Sequence, residues 1–421
     1  MISKGKAIIL VIALAFAMCL VLNDFAYAGN GTRFLGFSAR DSGMGGATTA
    51  SPADTSCLVR NPASLVWIGN RIDLEYLNIL PHDVTMHTEG VLANAGTRQK
   101  SNITYLPGAD AGISYRIPGT DKYPVSVGCG IFTMAGLALN YPAARFNPIL
   151  LRDTHDFDKM VDLRSLRIAP GIAVAFNDKL SFGGTANIGI QGLRTNLTTT
   201  ATYASQYLET AGNGDWDFAP GAGFTLGLLY KFNEMLNLGA SYESHGWFGH
   251  HYKYKDCLPY IDEPPVINAG VSLKPIRDFE WTFDTRYINW TDVKLARNGP
   301  ESGGFGWGDQ WVFATGGEYS FKDKKNDDKF KLRLGYMYGK SPVQAHVVFA
   351  NALLPVIMEH HLTMGFSYFV MKNLSLDFVW EHHFMGVKAD NGCGDTYSVN
   401  GNGTKVTAAA EILGVGLGYQ F

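Results

Sequence analysis

The sequence predicts an all-β protein: a transmembrane, antiparallel, up-and-down β-barrel of fourteen strands with an N-terminal plug, or hatch, in its lumen. Three observations predict this class. Apolar side chains recur at every second position in segments of about ten residues, short and long connections alternate between these segments, and the last residue is aromatic, Phe421. A mean hydropathy of −0.02 agrees with the prediction, because only one face of each strand would meet lipid.

The N-terminus predicts export from the cytoplasm. Two lysines precede an apolar run over residues 7–22, and Ala26-Tyr27-Ala28 is the small-x-small pattern that precedes signal-peptide cleavage. We therefore assign residues 1–28 to a signal peptide. A retained membrane helix is the weaker interpretation, because the run is short for a bilayer span.

Residues 29–70 are predicted to form the plug. The run from Gly36 to Ile68 is rich in Gly, Ala, Ser and Thr and shows neither helical nor strand periodicity. Pro62 restricts Asn61 to an extended conformation, so the chain is expected to leave the plug extended and to enter the first strand of a barrel over 71–421. The residues predicted to form the hatch and its gate are Ser42, Gly43, Gly45, Gly46, Arg60, Asn61, Pro62 and Ala63.

The barrel strands are predicted from alternation of apolar and polar side chains, the pattern of a strand with one lipid-facing side. The predicted strands cover 71–80, 109–117, 123–133, 166–176, 179–191, 219–232, 235–244, 266–275, 279–290, 311–321, 329–339, 360–371, 373–384 and 410–421. Connections between them are alternately short and long from first to last. A sandwich with crossover connections has no reason to keep this order, so the alternation favours a membrane meander.

The two faces of the predicted strands differ in charge. A soluble sandwich would bury the apolar face, whereas a membrane barrel turns that face to lipid and the charged face inward. We expect the inward charges to pair with one another or with the plug. They are Asp284, Arg286, Lys331, Arg333, Asp377 and Glu381.

The final strand indicates the membrane. Leu413, Val415, Leu417, Tyr419 and Phe421 alternate with mostly small residues, and this pattern resembles the C-terminal strand that the barrel-assembly machinery of bacterial outer membranes recognises. We expect a multi-pass barrel in a Gram-negative outer membrane, with outer-membrane lipid and that machinery as partners.

From one end to the other the chain resembles the FadL/TodX family of outer-membrane transporters for long-chain fatty acids and other hydrophobic compounds. The resemblance rests on Ser42-Gly43-Met44-Gly45-Gly46-Ala47, Arg60-Asn61-Pro62-Ala63, Trp290-Thr291, Leu334-Gly335-Tyr336-Met337-Tyr338, Ser341-Pro342-Val343 and His360 with Leu362-Thr363-Met364-Gly365. It implies fourteen strands around a hatch and uptake of hydrophobic small molecules, by capture in extracellular loops, passage to a lumenal site and gated lateral release. The release point that it implies is a kink in the third strand, where we place Gly128 and Gly130.

Two long connections contain apolar stretches that predict a ligand site. Such residues are unusual on a solvated loop unless they pack on neighbours or meet a ligand, and the two interpretations are equally weighted by the residues alone. For a cargo with a carboxylate, Arg286 or Arg333 would bind the head group. The apolar candidates for ligand binding are Leu137, Leu139, Val348, Phe349, Leu353 and Leu354.

No catalytic or cofactor motif is found. The chain lacks G-x-S-x-G, a P-loop and Cys/His zinc spacing, and vicinal histidines on a strand point to opposite faces. We expect no cofactor, no metal, no catalytic residue and no nucleic acid partner, and a monomer. The four cysteines after residue 28, Cys57, Cys129, Cys257 and Cys393, are expected to be unpaired, and pairing of Cys257 with Cys393 is the alternative. An outer-membrane enzyme acting on lipids and a structural or adhesive barrel are the alternatives.

Overall fold

Within the described residues, fourteen antiparallel strands form a closed barrel. The computed structural model describes residues 30–88, 98–144, 157–195, 214–255 and 258–421. The strands are β1 (Arg71–His87), β2 (Leu106–Arg116, preceded by a short piece, Arg98–Lys100), β3 (Val125–Ala144), β4 (Phe157–Ile168 and Gly171–Ala175), β5 (Leu180–Thr195), β6 (Asp217–Lys231), β7 (Leu236–Glu243, followed by Trp247–Phe248), β8 (Val266–Ile276), β9 (Phe279–Ile288), β10 (Gln310–Lys322), β11 (Asp328–Gly339), β12 (His360–Met371), β13 (Leu374–Ala389) and β14 (Lys405–Gln420). The predicted signal peptide, residues 1–28, lies outside the described residues.

The first and last strands close the barrel. β1 pairs with β14 from Arg71 opposite Gln420 to His87 opposite Lys405, and its other edge pairs with β2. The start of β1 and the end of β14 therefore lie at the same end of the barrel, the end with the short connections. The predicted order of short and long connections is confirmed by these strand bounds.

Most strands extend further toward the long connections than predicted. β1 continues to His87 instead of ending at residue 80, and β3 continues to Ala144 instead of residue 133. Beyond the lipid one face of a strand is no longer required to be apolar, so the alternation stops while main-chain pairing continues. Leu137 and Leu139, predicted in a loop, consequently lie in β3.

Side chains separate by face as the alternation predicted. Outward residues such as Phe378, Leu413 and Val415 are large, apolar and exposed. Inward residues such as Asp284, Arg286 and Glu381 are buried and polar. Because a charge facing lipid at mid-depth costs about 2–4 kcal/mol for Arg or Lys, this register is strongly favoured over one shifted by a single residue.

Residues Asn30–Asn70 precede β1, and most of them are buried among inward-facing wall residues. We call this stretch the plug. It contains α1 (Ala39–Gly43), α2 (Cys57–Arg60) and a 3₁₀-helix over Pro62–Trp67. The expectation that the chain runs extended from Pro62 into a strand was wrong. Asn61 is extended (φ −153°), as a residue before proline should be, but its side chain caps the 3₁₀-helix that follows.

The described parts of the long connections form a layer over the barrel. It holds α3 (Lys294–Arg297), α4 (Thr396–Asn400) and 3₁₀-helices over Tyr252–Tyr254, Trp290–Asp292 and Pro300–Ser302. Its buried side chains form the largest apolar cluster of the described residues. None of the helices in the described ranges is long and apolar enough to cross a bilayer.

Candidate functional site

An apolar cavity of about 130 Å³ lies in the outer layer. We call it the outer cavity. Its walls come from the upper parts of β3, β4 and β5 and from three of the long connections. The apolar side chains that line it include Leu163, Leu193, Leu258, Ile261, Trp290, Leu295, Phe305, Trp307, Leu353 and Leu354. A cavity of about 150 Å³ with aliphatic and aromatic walls holds a benzene-sized molecule.

A group of buried ion pairs adjoins the outer cavity, and two of its members, Arg33 and Glu263, line it. Arg33 of the plug contacts Glu243 at 2.7 Å, and Arg167 contacts Glu243 at 2.7 Å and Glu263 at 2.6 Å. Ser165 donates a further hydrogen bond to Glu263. Two guanidinium groups thus face two carboxylates, so this group of ion pairs carries no net charge. Nη1 of each arginine is buried without a hydrogen-bond partner.

The first described residues of the plug separate the outer cavity from a second one. We call Asn30–Leu35 the N-terminal segment. Thr32 and Arg33 line the outer cavity on one side and a cavity of about 90 Å³, the inner cavity, on the other. The inner cavity is also bounded by Leu137 of β3 and by two buried histidines, His361 and His383. Movement of the N-terminal segment would join the two cavities.

The wall beside the inner cavity has a break in strand pairing. β2 and β3 pair from Arg116 opposite Ser126 to Ala111 opposite Ile131, and their ladder ends there. Thr133 still bonds to β2, donating from its main-chain N to the Asp110 carboxylate at 2.6 Å. In the described part of both strands, main-chain pairing then resumes only where Asn102 donates to the Asn140 carbonyl, at 3.0 Å. We call this stretch, 133–140 facing 102–110, the wall gap.

The N-terminal segment covers the wall gap from inside. Arg33 forms an isolated antiparallel bridge with Ala135, and Phe34 N donates to the Met134 carbonyl at 3.3 Å. β3 has a bulge at this place, since its register to β4 shifts between Thr133 and Ala135. A bulge bends its strand and leaves main-chain groups unpaired. The segment therefore occupies an edge that β2 does not reach.

Gly128 and Gly130, predicted to form the kink, lie just below the gap. Both are regularly paired with β2. A Cβ on Gly128 would lie 2.9 Å from Leu65 of the plug, and one on Gly130 would lie 2.4 Å from the Phe132 ring. The two glycines thus provide room for neighbouring side chains, and the bend itself lies at the bulge beyond them.

Several of the residues predicted to form the hatch hold the plug together or join it to the wall. Asn61 Nδ2 donates to the carbonyls of Thr49 (2.7 Å) and Leu228 of β6 (3.1 Å). Arg60 binds Asp41 at 2.9 Å within the plug. Gly45 has a positive φ (67°) that favours glycine, and it lies against the main chain of β11. The remaining predicted residues of this group, Ser42, Gly43, Gly46, Pro62 and Ala63, are buried in the same stretch.

Asn61→Ala removes both of these contacts to carbonyl groups. We expect plug seating to weaken by about 1–3 kcal/mol while the barrel remains folded, because one buried hydrogen-bonding side chain contributes about this much. The measurement is permeability to a small polar solute in reconstituted membranes, which should rise. Asn373→Ala, which removes an exposed bond at a short turn, is the matched control. An equal rise in both variants would contradict the role of Asn61.

In the structure, Arg286 contacts the plug and Arg333 contacts the barrel wall; head-group binding by either remains a prediction. Arg286 donates to Asn268, to Asn30 and, at 3.4 Å, to the Gly46 carbonyl. Arg333 binds Glu318 at 2.6 Å. Neither lines the outer or the inner cavity. The expected network of inward charges is confirmed, since Lys331 also binds Glu318 and Asp284 accepts from Thr49 N.

The apolar candidates divide into two groups. Leu353 and Leu354 line the outer cavity and Leu137 lines the inner one. Leu139, Val348 and Phe349 are buried in the apolar cluster of the outer layer, where Phe349 packs against Gly401. Packing therefore accounts for the second group.

A polar cavity of about 480 Å³ lies below the plug, at the end with the short turns. We call it the lower cavity. It is lined mainly by charged and polar groups, among them Arg40, Asp73, Glu280, Glu318 and Arg333. Arg40 of the plug binds Glu280 and Glu318 at 3.1 Å each. An apolar molecule would be poorly solvated here.

Sequence reasoning missed Arg33, the Arg167–Glu243–Glu263 group and His361. The inward parity of Arg167 and Glu243 in their strands would have found two of them. In the described part of the chain, no group of three or more His, Cys, Asp and Glu side chains is arranged to hold a metal ion. Cys257 lies outside the described residues, and Cys393 is exposed without a disulfide.

Both the sequence and the fold of this chain are similar to those of known proteins. Residues 13–421 match the family model described as outer membrane protein transport protein (OMPP1/FadL/TodX). Among similar solved structures, the toluene transporter TodX of P. putida has 17% identity and a TM-score of 0.66, with 92% of this chain and 99% of that chain covered. The toluene transporter TbuX of Ralstonia pickettii has 18% identity and a TM-score of 0.63 at the same coverage. A Pseudomonas aeruginosa FadL homologue has 14% identity and a TM-score of 0.67, covering 93% of this chain and 100% of that one. At these identities the likeness is one of fold. No curated protein sequence matches the chain.

Proposed function

The chain belongs to the outer membrane protein transport family (OMPP1/FadL/TodX), and from this premise we propose how it moves a cargo across the outer membrane. A hydrophobic compound enters the outer cavity and passes the N-terminal segment into the inner cavity. It then leaves sideways through the wall gap into the membrane. The observation that carries the proposal is the N-terminal segment lying over a break in the barrel wall.

The outer cavity supports capture. Its walls are apolar and aromatic, and burial of apolar surface contributes about 25 cal/mol per Å², so a hydrocarbon gains by entering it from water. Leu353 and Leu354 are the predicted ligand residues that would make this contact. Val348 and Phe349 would support them from behind.

The lower cavity argues against a straight path. A hydrophobic molecule moving along the barrel axis would exchange apolar contacts for a space lined by ion pairs, such as Arg40 with Glu280 and Glu318. It would also have to displace the plug core, which is anchored by Asn61. The sideways route needs only the shorter N-terminal segment to move. In this proposal the plug core, with Ser42–Gly46 and Arg60–Ala63, seals the lumen.

Release through the wall gap is possible because the main-chain groups of β2 and β3 are not hydrogen-bonded to each other across it. Phe34 N and the Met134 carbonyl form one of the few bonds that hold the segment there. When this hydrogen bond breaks and the segment moves, an apolar opening bounded by Leu137 and Gly136 is exposed. A hydrophobic cargo then enters lipid without crossing water.

Accumulation of labelled compounds by intact cells tests this proposal. The host should be a Gram-negative strain without its own transporter of this kind, because the hydrated lipopolysaccharide surface is the barrier that makes uptake depend on protein. We expect expression of the chain to raise the initial rate for radiolabelled toluene or laurate and to leave the compound chemically unchanged. Hydrolysis of an ester analogue without uptake would favour an enzyme, and no change in either measurement would favour a structural barrel.

A further inference from the structure

The inner cavity combines apolar walls with buried polar atoms that lack partners. His361 is 2% exposed, and neither nitrogen of its ring has a hydrogen-bond partner of normal geometry. The main chain of Met358 is close enough to interact with the ring, which leaves at least one ring nitrogen without a partner. Arg33 Nη1, on another wall of the same cavity, is also unpaired. A buried donor without an acceptor is unfavourable, and a bound molecule that supplies an oxygen atom removes the penalty.

The charges around the inner cavity are balanced. Arg33 and Arg167 are paired with Glu243 and Glu263, and His383 Nε2 lies 3.0 Å from the Glu381 carboxylate. On the plug side, Arg286 and Arg60 lie near Asp284 and Asp41. An ionised carboxylate would therefore find no uncompensated positive charge, because the one guanidinium that lines the cavity, that of Arg33, is already paired with Glu243. An uncharged oxygen needs no such counter-charge.

The orientation of the His361 ring is fixed by its neighbours, so the ring can contact a bound oxygen atom. It packs edge-to-face on His383, with ring centroids 4.2 Å apart, and His383 is in turn held by Glu381. A neutral imidazole offers one donor and one acceptor, which is the complement of a hydroxyl group. At about 90 Å³ the cavity is smaller than the cavities of about 150 Å³ that hold benzene, so it receives one end of a molecule.

We propose that the inner cavity binds the hydroxyl end of an uncharged hydrophobic compound, an alcohol or a phenol, and that His361 is the residue that recognises the hydroxyl. This inference rests on the proposed function, because it assumes that cargo passes from the outer cavity to the inner one. Arg33 borders both cavities and would meet the oxygen first. The rest of the cargo would lie against Leu137 and Ile79.

Three ligands with the same ring test the proposal: toluene, para-cresol and para-toluate at about pH 8, where the last is ionised. Binding is measured by calorimetry on the full-length mature protein in lipid nanodiscs, with protein-free nanodiscs as the blank. We expect His361→Leu to weaken para-cresol binding about tenfold and to leave toluene binding unchanged. His361→Gln, which keeps a donor and an acceptor, should retain most of the affinity for para-cresol.

His382→Leu is the matched control, since His382 is the neighbouring histidine of His383 on β13 and points outward. It should change neither affinity. If His361→Leu leaves the ratio of para-cresol to toluene affinities as in the wild type, the unpaired atoms hold only water and the inference is overturned. Tighter binding of para-toluate than of para-cresol overturns the uncharged class. Absence of binding and uptake for both neutral ligands in the wild type would instead overturn the proposed function itself.

Discussion

A disulfide between positions 33 and 135 should stop uptake. Arg33 and Ala135 are bridge partners on the N-terminal segment and β3, and antiparallel bridge partners have Cα separations of about 4.5–5.5 Å, within the range of disulfides. In a background with the native cysteines replaced by serine, the oxidised Arg33→Cys/Ala135→Cys variant holds the segment over the wall gap. We expect the initial uptake rate of a hydrophobic compound to fall at least about tenfold and to recover on reduction, since a closed gate allows no population of the open state.

The reduced form of the same variant serves as the reference for the oxidised form, because Arg33 is replaced in both. A second disulfide, Phe378→Cys/Val415→Cys, joins β13 and β14, which are already paired, and should leave uptake unchanged. Uptake at full rate with the 33–135 disulfide formed would mean that the segment does not move. The wall gap would then be a permanent opening or no route at all.

Replacing Gly335 by valine should open the barrel to polar solutes. A Cβ on Gly335, in β11, would lie 2.2 Å from Gly45 N and 2.5 Å from the Met44 carbonyl carbon. Both contacts are with main chain, so the plug cannot adjust by turning a side chain and must leave its seat. A fourteen-stranded barrel without its plug is wide enough for water, and we expect single-channel conductance in planar bilayers to rise about tenfold or more.

Gly317→Val is the control for this substitution. Gly317 lies on the neighbouring strand, β10, but its ideal Cβ is directed away from the plug, toward the Phe279 ring at 3.3 Å. It adds the same side chain without touching the plug. Conductance that rises equally in both variants would show general damage to the barrel, and no rise in Gly335→Val would show that the plug tolerates displacement of the Met44–Gly45 turn.

The strand number and the two faces could be predicted because lipid imposes a local rule on every spanning strand. Phe378 and Val415 face lipid and Asp284 faces the lumen in the structure, as their alternation indicated. The ends of the strands could not be predicted in the same way. Above the lipid, residues such as His87 and Leu139 continue main-chain pairing without any alternation to reveal it.

The parts of the candidate site that escaped prediction depend on distant partners. The wall gap is the stretch over which β2 and β3 do not pair with each other. Gly128 and Gly130 lie next to this stretch, not in it. Arg33 lies in a short polar stretch without a pattern, and its role arises from Glu243, 210 residues away. Arg286 and Arg333 were assigned to the lumen correctly, but no local pattern indicates whether a lumenal charge meets cargo or plug.

The anchoring of the plug has a consequence for biogenesis. Its N-terminal residues are made first, yet Arg40 is held by Glu318, 278 residues later in the chain. Contacts of such sequence separation form late in folding because a long loop must close before they are gained. The plug therefore docks only after β9 and β10 have joined the growing sheet. A precursor stalled before that step carries its plug loose on the periplasmic side, where proteases and chaperones reach it.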